Sequence, residues 1–392
     1  MSWIRERTAA VLAGSAIGDA LGGATEGFSP EQIQTRYGGR VTGIVPPFHA
    51  DWPTRRPISP YHKGDGHITD DTLMTQALIE VYAARRTHLD AYSFTEELIP
   101  LLETRFRWIP ELEREAILLH RVFLPEKWIV SRVKVGHADP RDAGVGNAVN
   151  CGAAMYMAPT GIVNAGTPRR AYAEAIDMAG AHQTSYGREA AGLFAAAVAA
   201  ALVPGTTIDR VADVTLTLAH DGSKAALESV VDAARRLPRS ASDDEIASAL
   251  RDAIRPFDTV GEIYREPLLD ARIPSRTKSI EEFPIALGML IAYGAEFRPS
   301  ILGAVNYGRD ADSIASMAGS IAGAIGGPEA VANDWLADIA EASRVDFHHY
   351  AERLADVAEE IILDDALKLQ EELEALTTVS TSKVRASERT RG

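Results

Sequence analysis

The chain has 392 residues, enough for one large domain or two ordinary ones. Its hydrophobic share of 46% and charged share of 24% are those of a soluble globular protein, while a formal charge of −15 argues against a general binder of nucleic acid or of membrane surfaces. One cysteine, Cys151, excludes an internal disulfide and a cysteine-rich zinc site.

The N-terminal stretch MSWIRERTAAVLAG lacks a signal pattern, and no uninterrupted apolar segment is long enough to span a bilayer. A cytoplasmic protein is expected, and Cys151 fits a reducing compartment. Residues 4–22 have helical periodicity through Ile4, Ala9, Val11, Leu12, Ile17 and Leu21. Gly14, Gly18, Gly22 and Gly23 weaken that helix but permit close approach of a neighbouring backbone or ligand. Asp19 lies within it and reads as a buried, hydrogen-bonded carboxylate that ties down a neighbouring loop. Glu26 follows in a Thr-Glu-Gly loop and, taken alone, is a surface carboxylate. Residues 37–68 are rich in Pro and Gly, lack a sustained period and read as a loop able to cover a site. Arg55, Arg56, His62 and Lys63 could reach an anionic substrate from it, although a solvated loop is the plainer reading of each.

The segment GHITDDTLMTQAL, residues 66–78, packs oxygen ligands against an apolar run. Thr69 or Asp70 at the N-cap, with carboxylates in the first turn, predicts a helix start, and the macrodipole alone would justify the acids. Helices are expected over 71–86, 91–107 and, after Pro110, 111–122, with Trp108, Phe123 and Trp128 in the core. Residues 132–152 are Gly-rich and polar, and read either as a phosphate cradle or as a tight connection. Without a flanking strand they are neither a P-loop nor a dinucleotide fingerprint. Cys151 sits among small apolar residues and reads as packed rather than nucleophilic. Further helices are expected over 153–158, 168–181, 187–202, 206–219, 223–236, 243–255 and 281–294, with an irregular connection over 256–277. His182 follows the second of these.

The stretch NYGRDADSIASMAGSIAGAIGG, residues 306–327, repeats the acidic theme. Asp310, Asp312 and Ser313 precede an apolar helix rich in Gly and Ala. If the two helix starts met, Asp70, Asp71, Asp310 and Asp312 would repel one another. A hard divalent cation cures that, and paired Asp on each segment can hold two ions, typically about 3.5–4 Å apart in two-metal sites. Arg309 stands beside these acids and would pair with them or hold a phosphate. Helices over 328–342 and 345–375 follow. Residues 1–376 are expected to form a single domain, because both half-sites must converge, and 377–392 a disordered polar tail.

ITDDT, then GRDADSIA, preceded by GSAIGDALGGATE, resembles the ADP-ribosylglycohydrolase family, of the dinitrogenase-reductase-activating glycohydrolase type. The trio occurs in the family's order, and the resemblance runs from about Thr8 to about Gly327. It implies an all-α fold, a compact orthogonal multi-helix bundle with a binuclear metal site at helix N-termini. It implies two Mg2+ or Mn2+ held by Thr69, Asp70, Asp71, Asp310, Asp312 and Ser313, with Glu26 and Asp310 as catalytic groups. Asn150, Gly152, Tyr156, His182 and Arg309 become candidate substrate contacts. Cys151 is inserted in the family's Asn-Gly-Ala-Ala-Met-Arg pattern and Tyr156 replaces its Arg, so Tyr156 would stack on a base or ribose. The implied activity is hydrolysis at the anomeric carbon of an ADP-ribosyl group on a protein or small molecule. The alternatives are a hydrolase of another N-riboside or nucleotide metabolite, and a non-catalytic ADP-ribose-binding or structural member.

Overall fold

A computed structural model describes residues 3–54, 62–258, 261 and 278–389. Arg55 and Arg56, and most of the expected 256–277 connection, lie outside the described residues. The chain opens with α1 (Trp3–Gly22), α2 (Pro30–Tyr37), α3 (Asp70–Arg85) and α4 (Ala91–Thr104). A hairpin of β1 (Phe106–Ile109) and β2 (Arg114–Ile117) and a short α5 (Leu124–Ile129) follow. The middle supplies α6 (Ala158–Val163), α7 (Pro168–Ala179), α8 (Ser185–Ala201), α9 (Ile208–Leu218), α10 (Asp221–Arg236) and α11 (Asp243–Ile254). The chain then adds α12 (Lys278–Ala292), α13 (Phe297–Tyr307), α14 (Ala311–Gly326), α15 (Asn333–Ser343) and α16 (Phe347–Arg389). The fold is all-α, and the hairpin is the sole sheet among the described residues. One continuous apolar core runs from Ile4 on α1 to Ile361 on α16.

The hairpin corrects the helix expected over 111–122. Pro110 starts only one 3-10 turn, Pro110–Leu112. Glu113 then takes left-handed backbone (φ 50°) and reverses the chain, so that Arg107 pairs with Ala116 and Ile109 with Arg114. The expected helix over 153–158 is also displaced. A 3-10 turn at Cys151–Ala153 precedes α6, which starts at Ala158. Trp108, Phe123 and Trp128 are half-buried rather than central. At the C-terminus α16 extends to Arg389, into the segment expected to be a disordered tail. No Gly or Pro interrupts the sequence from Phe347 to Arg389, so nothing local stops the helix.

Among the described residues, α1 and α14 pack backbone to backbone along most of their length. The two helices run antiparallel, with Gly14 against Gly319, Gly18 against Ala315 and Gly22 against Ala311. A Cβ added at Gly18 would lie 2.1 Å from the Ala315 carbonyl oxygen, so the backbones meet without side chains between them. Ser15 and Ser316 share a hydrogen bond of 2.8 Å in this seam. Arg7 donates to the carbonyls of Ala324 and Ile325 and so caps the end of α14. This arrangement brings the end of α1 beside the start of α14. A Gly18→Val change forces the helices apart, because no rotamer relieves a clash with backbone. It should lower unfolding stability by about 3 kcal/mol or more, read by urea denaturation.

Candidate metal centre

Two helix starts converge at the end of the α1–α14 seam. The first is held by Asp19, a fully buried carboxylate on α1. It accepts the Thr69 N–H at 3.1 and 3.0 Å, the Thr69 hydroxyl at 2.6 Å, the Thr72 N–H at 3.1 Å and the Thr72 hydroxyl. Asp19 therefore ties down the start of α3, as its sequence setting suggests. Thr69 is the N-cap. Because its hydroxyl gives its proton to Asp19, its lone pairs are left for the Asp71 N–H (3.4 Å) or for an ion. Asp70 and Asp71 follow in the first turn, both buried.

The second start is set by two successive residues with positive φ, Gly308 (73°) and Arg309 (57°). A Cβ at Gly308 would meet the Phe28 carbonyl at 2.0 Å, so only glycine fits there. Asp310 is the N-cap of α14, and Asp312 lies in its first turn, accepting the Ser313 N–H at 3.1 Å. Single carboxylate oxygens of Asp19, Asp71 and Asp312 lie within 4.8 Å of one another.

Between the two starts lies a cleft of about 150 Å³. Asp70, Asp71, Asp310, Asp312 and Ser313 line it, with Glu26, Glu126, Asn150 and Gly152. Burial raises the Asp71 carboxyl well above its usual range, and the charges of Asp312, Asp19, Asp70 and Asp310 raise it further. Burial and Glu26 raise Asp312 in the same way. Asp70 is pushed by burial to about 6, held down by Arg121. Asp71 Oδ1 has no hydrogen-bond partner. Buried acids this close must hold protons or a cation, and the donor set is mainly oxygen. The residues thus fit a hard divalent ion.

His62 is the main surprise of the site. Its loop setting favoured a solvated side chain, yet it is only 6% exposed and lines the cleft. Its Nε2 lies 2.7 Å from Glu26 Oε2 and 3.2 Å from Asp312 Oδ2. Burial alone would lower its pKa, but Glu26, Asp312 and Glu111 raise it well above the usual imidazole range. Arg121, itself buried, pairs with Glu111 at 2.7 Å and Asp70 at 3.3 Å. Lys63 instead pairs with the exposed Glu113.

The expected substrate contacts divide. Asn150 and Gly152 line the cleft. Asn150 Oδ1 accepts the Gly152 N–H at 3.0 Å and the Gln183 amide. Tyr156 and His182 do not line it. Both are fully buried, stacked together and joined by a 3.1 Å hydrogen bond, and Phe94 also stacks with Tyr156. Tyr156 has therefore taken a core position, and Phe123 and Met155 supply the apolar wall instead. His182 reaches the cleft only through Glu126, 3.4 Å away. Arg309 is a further correction. Its left-handed backbone sends the side chain to Glu281 (2.6 Å) and Asp258 (2.9 Å), beside a separate cavity of about 470 Å³. It pairs with acids, but not with those of the metal centre.

Comparison with known proteins now agrees with these motifs. The profile of the ADP-ribosylglycohydrolase family matches residues 2–364. The chain belongs to that family. An uncharacterized protein of Archaeoglobus fulgidus is 31% identical over 344 residues, covering 83% of this chain and 88% of that one. A solved structure of an ADP-ribosylglycohydrolase-related protein complex superposes with a TM-score of 0.54 at 19% identity. That match covers 91% of this chain and 100% of the other, and shows a shared fold. Family membership implies a glycosyl hydrolase of ADP-ribosyl compounds. Among the described residues no helix is long and apolar enough to cross a membrane.

The raised carboxylates give a signed pH dependence. Protons held by Asp70, Asp71 and Asp312 must leave before a cation binds, so affinity rises with pH. Calorimetry with Mn2+ should show affinity falling as pH drops through about 6, with protons released on binding.

Proposed function

We propose that the chain is a divalent-metal-dependent hydrolase that cleaves the glycosidic bond at the anomeric carbon of an ADP-ribosyl group, carried by a protein or a small molecule. The observation that carries this reading is the convergence of Asp70, Asp71, Asp310 and Asp312 with Glu26 in one cleft. Asp70, Asp71, Asp310, Asp312, Thr69 and Ser313 would hold two Mg2+ or Mn2+. When bound, such ions orient ribose hydroxyls and supply a water of lowered pKa.

The chain's own residues do the rest. A cleft of about 150 Å³ is smaller than the ~300 Å³ at which pockets bury a whole drug-sized ligand. It suits one ribose ring, with the remainder of the substrate at its mouth. Asn150 and Gly152 line the cleft and would meet the sugar's polar groups, and Phe123 and Met155 its apolar face. Glu26 moves a proton to the leaving group or from water at its carboxylate. His62 holds that carboxylate in place at 2.7 Å. Asp310 contributes at the reacting face as well as to the centre. The positive charge that develops on the ribose as the aglycone departs faces a cleft lined by carboxylates.

A purely structural member gains nothing from such buried acids, whose desolvation costs stability. The reading of a smaller riboside as substrate rested on Tyr156 and on the altered loop around Cys151, and the burial of Tyr156 removes the first of these supports.

Two variants test the proposal. Asp70→Asn combined with Asp312→Asn should abolish release of ADP-ribose from ADP-ribosylated peptides and weaken Mn2+ binding, with helical circular dichroism unchanged. Full activity in that variant would sink the metal-dependent reading. Glu26→Gln should lower kcat about 10²–10⁴-fold while metal still binds, the usual worth of a positioned acid or base. Loss of metal instead would make Glu26 a ligand.

A further inference from the structure

The two acidic motifs leave one donor set in the cleft region unexplained. Glu282 stands near the start of α12, a helix otherwise apolar from Phe283 to Ala292 apart from its Pro and Gly. It is 1% exposed, and no hydrogen-bond donor reaches either of its carboxylate oxygens. What it faces instead is another carboxylate and a thiol. One oxygen of Glu282, one oxygen of Asp310 and Cys151 Sγ all lie within 4.8 Å of one another. Its neighbour Glu281, whose Oε2 also lacks a hydrogen-bond partner, has its charge answered through the other oxygen. Glu281 Oε1 meets Arg309 at 2.6 Å, the Tyr307 hydroxyl at 2.7 Å and Arg251 at 3.2 Å.

Cys151 is placed for the same set. It is 6% exposed and lines the cleft. Its S–H donates to Asp310 Oδ2 at 3.0 Å, and its sulfur lies 3.1 Å from Ser313 Oγ. The 3-10 turn Cys151–Ala153, capped by Asn150, fixes that position. Two buried carboxylates that face each other with only a thiol S–H beside them must share either a proton or a cation.

We propose that Cys151, Glu282 and Asp310 form a mixed sulfur–oxygen metal position, so that one half of the centre takes a borderline ion such as Zn2+, Fe2+, Co2+ or Mn2+ in preference to Mg2+. The proposal rests on the reading of the cleft as a metal centre and adds to it two ligands and a selectivity. Thiolate is a soft donor that Mg2+ avoids, whereas the aspartates of the other half suit a hard ion. On binding, the thiol proton and any proton shared by Glu282 and Asp310 pass to solvent, and no redox change is involved.

The test uses Co2+ as an optical probe on the full chain, kept reduced. Because the chain has one cysteine, any cobalt–thiolate charge-transfer band in the near ultraviolet comes from Cys151. Wild type should show the band at a Co2+ stoichiometry fixed by calorimetry. Cys151→Ser should lose it and bind Co2+ at least about tenfold more weakly, the least that even outer-shell partners cost, while Mg2+ affinity changes little. Glu282→Gln should keep the band but need about tenfold more Co2+ to develop it. Tight Co2+ binding by wild type without the band would overturn this proposal alone and leave the oxygen-ligated centre standing. If wild type binds none of Mg2+, Mn2+ or Co2+, the metal-centre reading falls and this proposal with it. The wild-type spectrum decides even where a variant fails to fold, which its circular dichroism would reveal.

Discussion

The glycine seam between α1 and α14 is the constraint on which the site depends. Gly14, Gly18 and Gly22 let backbone lie on backbone against Gly319, Ala315 and Ala311. At that separation the carboxylate of Asp19 reaches the start of α3 from α1, and Asp312 stands within the same few ångströms on α14. A wider helix pair would leave the two acidic starts apart, each an ordinary exposed N-terminus with a favourable macrodipole. Their chemistry is a product of packing as much as of residue type.

That packing concentrates charge at a cost. Asp70, Asp71, Asp310, Asp312 and Glu282 are all buried, and few of the neighbouring groups are donors. Arg121 answers part of the field from one side, through Asp70 and Glu111, and His62 answers another part through Glu26 and Asp312. Glu111 illustrates the outcome when a cation is at hand: burial would raise it, but Arg121 and His62 bring it down to about 2. Asp71 has no such partner and moves the other way. The contrast between these two acids marks where the protein supplies its own positive charge and where it leaves that to something bound.

The parts of the site that were legible in the sequence are those with a local cause. Thr69-Asp70-Asp71 and Asp310-Ala311-Asp312-Ser313 announce themselves because capping residues and acids cluster just ahead of apolar periodicity. Asp19 was readable because a carboxylate inside a small-residue helix has few fates other than accepting hydrogen bonds. The residues that escaped owe their roles to distant partners. His62 lies in a Pro- and Gly-rich loop without period, and only its nearness to the first acidic motif hinted at the cleft. Glu282 looks like an incidental charge at the start of an apolar helix; the adjacent pair Glu281-Glu282 in such a setting was the available signal. Cys151 was judged by its small apolar neighbours, which set its burial but not its contact with Asp310. Tyr156 was judged by its place in the family's pattern and Arg309 by the acids beside it in the chain; Tyr156 instead stacks in the core, and the left-handed backbone of Arg309 sends its side chain to other acids. The β1–β2 hairpin was missed because Pro110 is equally good at opening a helix or a single turn.

The seam also sets the order of events during synthesis. Glu26, Asp71 and Asp19 emerge early, and Asp312 only after most of the chain has been made. Until α14 docks on α1, the early acids form only half of the cluster and have no high-affinity partner set. A chain with such distant contacts closes late and slowly, because loop entropy must be overcome before any of them helps. On the proposed metal reading, an ion would meet a finished cleft rather than the half-built cluster of a nascent chain.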